Sequence, residues 1–198
     1  MRAILHRVAL CCTLAIALST PRRVSAQDEL PMVGGTGGTQ SARSCPNNAV
    51  MTGIRARVGQ LVDAVGIRCR TIAASGTLGA ESNAGSMMGG TGGTEREKSC
   101  PTGTVVAGQK LGRLGPAIVS IGLLCRGWNA STRSTSGSTA VAYIATSQFV
   151  ISGGILKDPE NLIAEQSTSC PSSQRPVRTI RARTGLVVDA MGLTCSAP

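Results

Sequence analysis

The chain has 198 residues, a formal net charge of +10 and about 2% aromatic residues, and its single histidine is His6. His6 lies in an N-terminal segment with a basic start, a short apolar stretch and a small-residue site ending at Ala26, which is typical of a signal peptide over residues 1–26. Because residues 27–198 contain no histidine, they exclude a Ser-His-Asp or Cys-His catalytic site and a histidine-ligated zinc ion.

The region after the signal peptide, residues 27–198, is long enough for one domain with its own core. It loses four of the twenty basic residues and keeps all ten acidic ones, so its net charge is +6. Six of the eight cysteines remain, and an even number in an exported chain is typical of disulfide cross-linking. No later stretch is apolar for long enough to cross a bilayer. We therefore expect a secreted, extracellular or periplasmic protein without membrane insertion. The alternative for residues 1–26 is an uncleaved N-terminal anchor.

Three internal repeats follow, at about residues 32–70, 87–126 and 149–195. Each contains a glycine pair, a Cys-Pro, an apolar strand, a glycine turn and a closing strand: LVDAVGIRC, AIVSIGLLC and VVDAMGLTC in turn. The two cysteines of a repeat are 24 or 25 positions apart. This regularity favours one bridge inside each repeat, although bridges between repeats would also use all six cysteines. The favoured pairs are Cys45–Cys69, Cys100–Cys125 and Cys170–Cys195.

The closing strands alternate in polarity, which predicts β-structure. In the first repeat, Leu61 and Asp63 are expected on the face of Val65, Ile67 and Cys69. The preceding strand alternates as well, so the two predict a hairpin that turns near Gly59. Each repeat is expected to form one small antiparallel sheet that cannot bury its own apolar face. Three such sheets must pack together, which predicts an all-β, pseudo-threefold domain. Lone Trp128 is interpreted as a packing residue.

The glycine pair, the Cys-Pro and the cysteine-ended strand, three times over, resemble the vitelline membrane outer layer proteins. The hairpin TGIRARVGQLVDAVGI and its partner RTIRARTGLVVDAMGL are similar to those of the jacalin-type lectins. Both families are β-prisms of three antiparallel sheets. The resemblance therefore implies a disulfide-stapled β-prism over residues 27–198.

In jacalin-type lectins a sugar binds at a GxxxD loop that faces a glycine-rich loop. The resemblance implies that Asp63 and Asp189 would each accept hydrogen bonds from two sugar hydroxyls, with backbone N–H groups of the GxxxD loops as donors. Asp189 would face glycines 34–38, and Asp63 would face glycines 89–93. The implied binding residues are Gly59, Gln60, Leu61, Val62, Asp63, Gly185, Leu186, Val187, Val188 and Asp189, with Gly34, Gly35, Gly89 and Gly90 opposite.

The second repeat has Val119 where the other two have aspartate, and its partner loop at Gly153 lacks the second glycine pair. At most two binding sites are therefore expected. A structural alternative applies to both aspartates, because an aspartate beside a tight turn often caps its own backbone.

Three functions follow from these features. The first is a non-enzymatic carbohydrate-binding protein whose partners are glycans or an extracellular matrix or surface polysaccharide. The second is a structural or interaction protein of an outer layer, without saturable sugar binding. The third is a binder of acidic polymers, based on basic residues of the strands. Its residues are Arg57, Arg113 and Arg183, each six positions before the aligned Asp63, Val119 and Asp189, with Arg55 and Arg181. The alternative for these residues is that they only form a solvated strand face.

Enzymatic activity is not expected. A glycosidase needs two carboxylates about 5 to 9.5 Å apart, whereas Asp63 and Asp189 belong to different sheets of the predicted prism. No cluster has metal-ligand spacing, so neither a metal nor a cofactor is expected. Nucleic acid is a poor partner for an exported chain with few aromatic residues.

Overall fold

The computed structural model describes residues 27–145, 150–152, 155–157, 164–171 and 175–198. The predicted signal peptide and the third glycine pair, Gly153 and Gly154, lie outside these ranges. The described residues form fifteen β-strands and no helix, as the sequence predicts. The strands are β1 (Gln27–Glu29), β2 (Val33–Gly34), β3 (Thr39–Ser44), β4 (Ala49–Val58), β5 (Val62–Ile72), β6 (Leu78–Gly89), β7 (Thr94–Ser99), β8 (Thr104–Leu114), β9 (Ala117–Asn129), β10 (Ser134–Ala145), β11 (Val150–Ser152), β12 (Ile155–Lys157), β13 (Ala164–Ser169), β14 (Val177–Thr184) and β15 (Val188–Ser196).

Three antiparallel sheets, each centred on one hairpin, contain most of the described strands. Sheet I has the order β6-β5-β4-β7, and sheet II has the order β10-β9-β8-β13. Sheet III has the order β1-β15-β14-β3, with β2 also paired to β15. A short two-stranded ribbon, β11-β12, stands apart from them. No helix in the described ranges is long and apolar enough to cross a membrane.

The sheets do not coincide with the repeats, so the prediction of one sheet per repeat is wrong. Strand β7, which follows the second glycine loop, pairs with β4 of the first repeat. In the same way β13 of the third repeat pairs with β8, and β3 of the first repeat pairs with β14. Each hairpin is thus flanked by the opening strand of the next repeat, in cyclic order. This exchange satisfies the hairpin's outer edge with backbone hydrogen bonds from a neighbour.

The predicted disulfide pairing is confirmed, and the strand exchange gives it a consequence. Cys45–Cys69, Cys100–Cys125 and Cys170–Cys195 all form. Cys45 follows β3 of sheet III, whereas Cys69 lies in β5 of sheet I. The second bridge joins sheet I to sheet II, and the third joins sheet II to sheet III. The three bridges therefore form a closed ring that links every sheet to both others.

The core is aliphatic and lies between the sheets. Ile54 and Ile180 occupy equivalent register positions and are fully buried. Their counterpart in sheet II is Gln109, also fully buried, whose Nε2 donates to the Met191 carbonyl over 3.1 Å. Trp128 packs in a separate cluster with Val50, Ile72, Val105 and Leu78, and its Nε1 donates to the Gly76 carbonyl. Trp128 is therefore a packing residue, as predicted.

Candidate functional site

A β-bulge sets the position of both aspartates. In sheet I, Arg57 pairs with Ala64 and Val58 pairs with Val62, so Asp63 is an extra residue without a partner across the ladder. In sheet III the same break leaves Asp189 as the extra residue. A bulge re-aims the side chain of its extra residue and bends the strand.

The bulge also corrects the predicted alternation. Val62 is fully buried in the core together with Val65, Ile67 and Cys69, whereas Leu61 and Asp63 are partly exposed. One inserted residue shifts the phase of a strand by one position, so the residues on its two sides exchange faces. Asp63 therefore leaves the core face that strict alternation assigns to it.

The carboxylate of each aspartate lies against a glycine pair of the next repeat. A Cβ built on Gly92 would stand 2.8 Å from Asp63 Oδ1, and one built on Gly93 would stand 2.6 Å from Oδ2. Asp189 has the same arrangement with Gly37 and Gly38, where both distances are 2.8 Å. The predicted facing of aspartate and glycine loop is confirmed in both cases. Only residues without a side chain fit this close to the carboxylates.

The first glycine pair of each loop contacts the backbone of the bulge, and not the carboxylate. Gly34 and Gly89 have φ of +132° and +123°, and a Cβ on them would overlap the backbone carbonyls of Asp189 and Asp63. The next residues, Gly35 and Gly90, donate their N–H groups to those same carbonyls over 2.8 Å. These four glycines thus dock the loop on the bulge backbone, while the later pairs approach the carboxylates. Both pairs can be recognised in the sequence as the pattern GGTGG, at residues 34–38 and 89–93.

Each site is assembled from all three repeats. At Asp189 of the third repeat, the loop comes from the first repeat, and Gly35 of that loop packs on Pro116 of the second. At Asp63 of the first repeat, the loop comes from the second, and Gly90 packs on the Leu186 carbonyl of the third. The two sites are therefore related by the pseudo-threefold symmetry of the prism, and both lie at its hairpin-tip end.

The hairpin tips expose the middle of each GxxxD loop. The Gly59 N–H donates to the Leu61 carbonyl over 2.9 Å, and the Gly185 N–H donates to the Val187 carbonyl over 3.0 Å. Gln60 is exposed at one tip, and Leu186 is 87% exposed at the other. Val62 and Val188 are fully buried, so only their backbone atoms can face a ligand.

The hairpin of sheet II departs from the other two. Gly112 pairs with Ser120 and Arg113 pairs with Ile118, so the extra residue is Val119, which is fully buried. This hairpin is one residue longer and turns at Gly115. Gly112, not Arg113, therefore stands at the register position of Arg57 and Arg183. The predicted equivalence of Arg113 with those two arginines is wrong, because counting back from Val119 ignores the added residue.

The strand arginines are occupied within the molecule. Arg55 bonds the Gly85 carbonyl over 2.6 Å and pairs with Glu95, and Arg181 pairs with Glu29 over 2.8 Å. At the register position of these two residues, Lys110 pairs with Glu165 over 2.6 Å. The hydrogen bond to Glu165 raises the pKa of Lys110 above its ordinary value. Arg57 and Arg183 bond loop carbonyls. Arg55, Arg57, Arg181 and Arg183 are therefore half-buried and bonded within the molecule.

Several solved structures of similar architecture are lectins. Wild-type Malaysian banana lectin superimposes with a TM-score of 0.52 at 15% identity, covering 88% of this chain and 99% of that one. The chain has the fold of the β-prism lectins. A prostate-specific glycoprotein lectin, WGA16, matches with a TM-score of 0.51 at 16% identity, covering 86% of this chain and 99% of that one. The mannose-binding lectin from champedak matches with a TM-score of 0.51 at 10% identity, covering 86% and 96%.

At the level of sequence, no family model matches the chain, and no curated protein matches it. Within the described ranges, no group of three or more histidine, cysteine, aspartate or glutamate side chains could hold a metal ion.

Proposed function

We propose that this protein is a secreted, non-enzymatic carbohydrate-binding protein with two sites, one at Asp63 and one at Asp189. The observation that carries the proposal is the bulged aspartate whose carboxylate faces a glycine pair of the next repeat. This arrangement occurs twice in one chain and resembles the sugar site of jacalin-type lectins. Secretion is supported by the three disulfides, which persist in oxidising compartments.

The chemistry of the sites suits a sugar with two neighbouring hydroxyls. An ionised carboxylate accepts hydrogen bonds through both oxygens, and charge-assisted bonds are stronger than neutral ones. Backbone N–H groups of residues 60–62 and 186–188 would supply the donors. The docking glycines Gly34, Gly35, Gly89 and Gly90 would act by holding the loop that borders the sugar.

The arginine contacts favour a neutral sugar over an acidic polymer. Arg55 and Arg181 pair with carboxylates, and Arg57 and Arg183 bond carbonyls, so these groups are engaged before any ligand arrives. Binding at the proposed sites should therefore persist at moderate salt, whereas attraction between separated charges is screened beyond about 8 Å at physiological ionic strength. Mannose is the first probe to use, because the champedak lectin is named for binding it.

The proposal excludes catalysis. The carboxylates of Asp63 and Asp189 belong to different sheets, and each borders a glycine pair. A glycoside hydrolase needs two carboxyl groups on opposite sides of one scissile bond, whereas each proposed site is built around a single aspartate among the described residues. Incubation of the protein with aryl glycosides should accordingly release no phenol above the buffer rate.

A glycan array with the oxidised protein over residues 27–198 tests the site assignment. The protein is compared with Asp63→Asn, Asp189→Asn and the double variant, and Asp28→Asn serves as the matched control. Asp28 is a partly exposed strand aspartate that pairs with Arg175, outside both sites. Loss of a hydrogen bond to a charged group costs about 1.5–3 kcal/mol, so each single variant should weaken its site at least about 10-fold. Unchanged binding by the folded double variant would refute the assignment.

A structural role in an extracellular layer is the second candidate, and the ring of disulfides favours it. The ring joins all three sheets covalently, as a wall component exposed to unfolding conditions would require. The cysteine framework that resembles the vitelline membrane outer layer proteins belongs to this candidate. It predicts that the protein shows no saturable sugar binding. It also predicts that the wild-type and double-variant proteins are retained equally on a matrix.

A further inference from the structure

We propose that Arg57 and Arg183 are positioning residues: each guanidinium holds the glycine loop in the conformation that borders the aspartate of its site. The inference rests on the proposed function, because the loop matters for binding only if Asp63 and Asp189 bind sugar. It adds two residues that the GxxxD pattern does not contain.

Arg57 reaches from β4 to the glycine loop that leads into the neighbouring strand β7. Its Nε donates to the Gly92 carbonyl over 2.7 Å, and its Nη2 donates to the Gly93 carbonyl over 2.7 Å. Gly92 and Gly93 are the same pair that lies against the Asp63 carboxylate. The pair is therefore fixed between a guanidinium on its carbonyls and a carboxylate beside its Cα atoms.

Arg183 repeats these contacts on sheet III. Its Nε donates to the Gly37 carbonyl over 2.9 Å and to the Thr36 carbonyl over 3.1 Å. Its Nη2 donates to the Gly38 carbonyl over 3.0 Å. The two arginines occupy one register position, and the two glycine pairs occupy another, so the same contact has arisen at both sites.

A glycine loop needs such a contact for a physical reason. Glycine loses more conformational freedom on ordering than any other residue, and it has no side chain to pack. A guanidinium has several N–H donors in a rigid plane, so it can bond two successive carbonyls at once. Lysine carries the same charge on a flexible stem and lacks this fork. The loop is thus ordered before a ligand binds, which lowers the entropic cost of binding.

The hairpin without an aspartate also lacks the arginine. Gly112 stands at the register position of Arg57 and Arg183, and Val119 stands at that of Asp63 and Asp189. Arginine and aspartate are thus present together in sheets I and III and are both replaced in sheet II. The partner loop of sheet II also lacks the second glycine pair, so the aspartate, the arginine and the glycines that they contact are all missing at the same hairpin.

Hydrogen exchange combined with site-resolved affinity tests the inference. Arg57→Gln and Arg57→Lys are made in the Asp189→Asn background, where only the first site remains, with Arg70→Gln as the matched control on β5. The mirror set places Arg183→Gln in the Asp63→Asn background. Amide exchange over residues 89–94 is followed by NMR, mannose affinity by titration, and global stability by urea unfolding.

We expect Arg57→Gln and Arg57→Lys to accelerate exchange in this loop at least about 10-fold and to weaken mannose binding by a similar factor. Arg70→Gln should change neither quantity. Unaltered loop exchange in Arg57→Gln would overturn the inference whatever the sugar result. Faster exchange with unaltered affinity would overturn it as well, because the loop would then be irrelevant to binding. If the aspartate double variant binds like the wild type, the proposed function fails instead, and the exchange data alone report that the arginine orders the loop.

Discussion

The disulfide ring makes a quantitative prediction about stability. The three bridges close loops with sequence separations of 24, 25 and 25 residues, and these loops do not overlap along the chain. In the chain-entropy model, a loop of this length contributes about 3.5 kcal/mol by restricting the unfolded chain. Replacing any one cysteine pair by alanine should therefore lower the free energy of unfolding by about 3.5 kcal/mol.

Because the loops are separate, the three losses should be additive. Removal of all three bridges would cost about 10 kcal/mol, against a typical total stability of about 5–15 kcal/mol for a domain. Urea unfolding of the three single-bridge variants and the three double-bridge variants measures each loss. The fully reduced wild-type protein should be near or below the threshold of folding.

Two results would refute this reasoning. Losses that differ among the three bridges by more than about 1 kcal/mol would mean that native packing around each bridge, and not loop length, determines its contribution. Double-bridge losses well below the sum of the single losses would mean that residual structure in the unfolded chain already restricts it. Either outcome would remove the physical basis for treating the ring as three independent staples.

Three further predictions follow from particular residues. Gly92→Ala in the Asp189→Asn background should weaken mannose binding at least about 10-fold, because the new Cβ would stand 2.8 Å from Asp63 Oδ1. The control is Gly137→Ala in β10, outside both sites, where a Cβ meets nothing within 4 Å; equal affinities of the two variants by titration would contradict the site geometry. Gln109→Ile should raise the free energy of unfolding by about 1 kcal/mol, because Gln109 Oε1 is buried without a hydrogen-bond partner among the described residues and Ile occupies the two equivalent positions. A lower urea midpoint for the variant would show that the hydrogen bond from Gln109 to the Met191 carbonyl stabilises the protein by more than the unpartnered Oε1 destabilises it. Glu165 chiefly raises the pKa of Lys110, so the pair stabilises the folded protein while Lys110 is charged, and this contribution is lost as the pH rises through the raised folded-state pKa. Glu165→Gln should therefore be less stable than the wild type in urea unfolding from neutral pH up to pH 10.5, and a difference in stability that does not shrink above pH 10.5 would exclude this origin.

Periodicity and cysteine spacing were sufficient to predict the all-β fold, the three hairpins and the three bridges. They were not sufficient for the assignment of strands to sheets. The exchange of β3, β7 and β13 between repeats does not change the pattern of polar and apolar residues. The edge strand of a repeat has the same alternation whether it pairs with its own hairpin or with that of a neighbouring repeat.

The candidate site was predictable in part, for related reasons. Asp63, Asp189 and the facing glycine loops follow from a resemblance in sequence. The bulge does not, since one extra residue shifts the phase of a strand without changing its composition. The contacts of Arg57 and Arg183 could not be predicted from the sequence either. An arginine on a strand is expected to be solvated unless the structure shows which backbone carbonyls lie within its reach.

The pairing of the first and last described strands determines how the molecule would present itself when tethered. Gln27 is the partner of Ser196, so the two ends of this region lie side by side. They meet at the cysteine end of β15, whereas Asp189 lies at its opposite end, about seven residues or roughly 23 Å away at 3.3 Å per residue. A cell surface, a resin or a fusion partner joined to either end would thus be attached at the end of the prism opposite the two aspartate sites, which leaves both sites accessible.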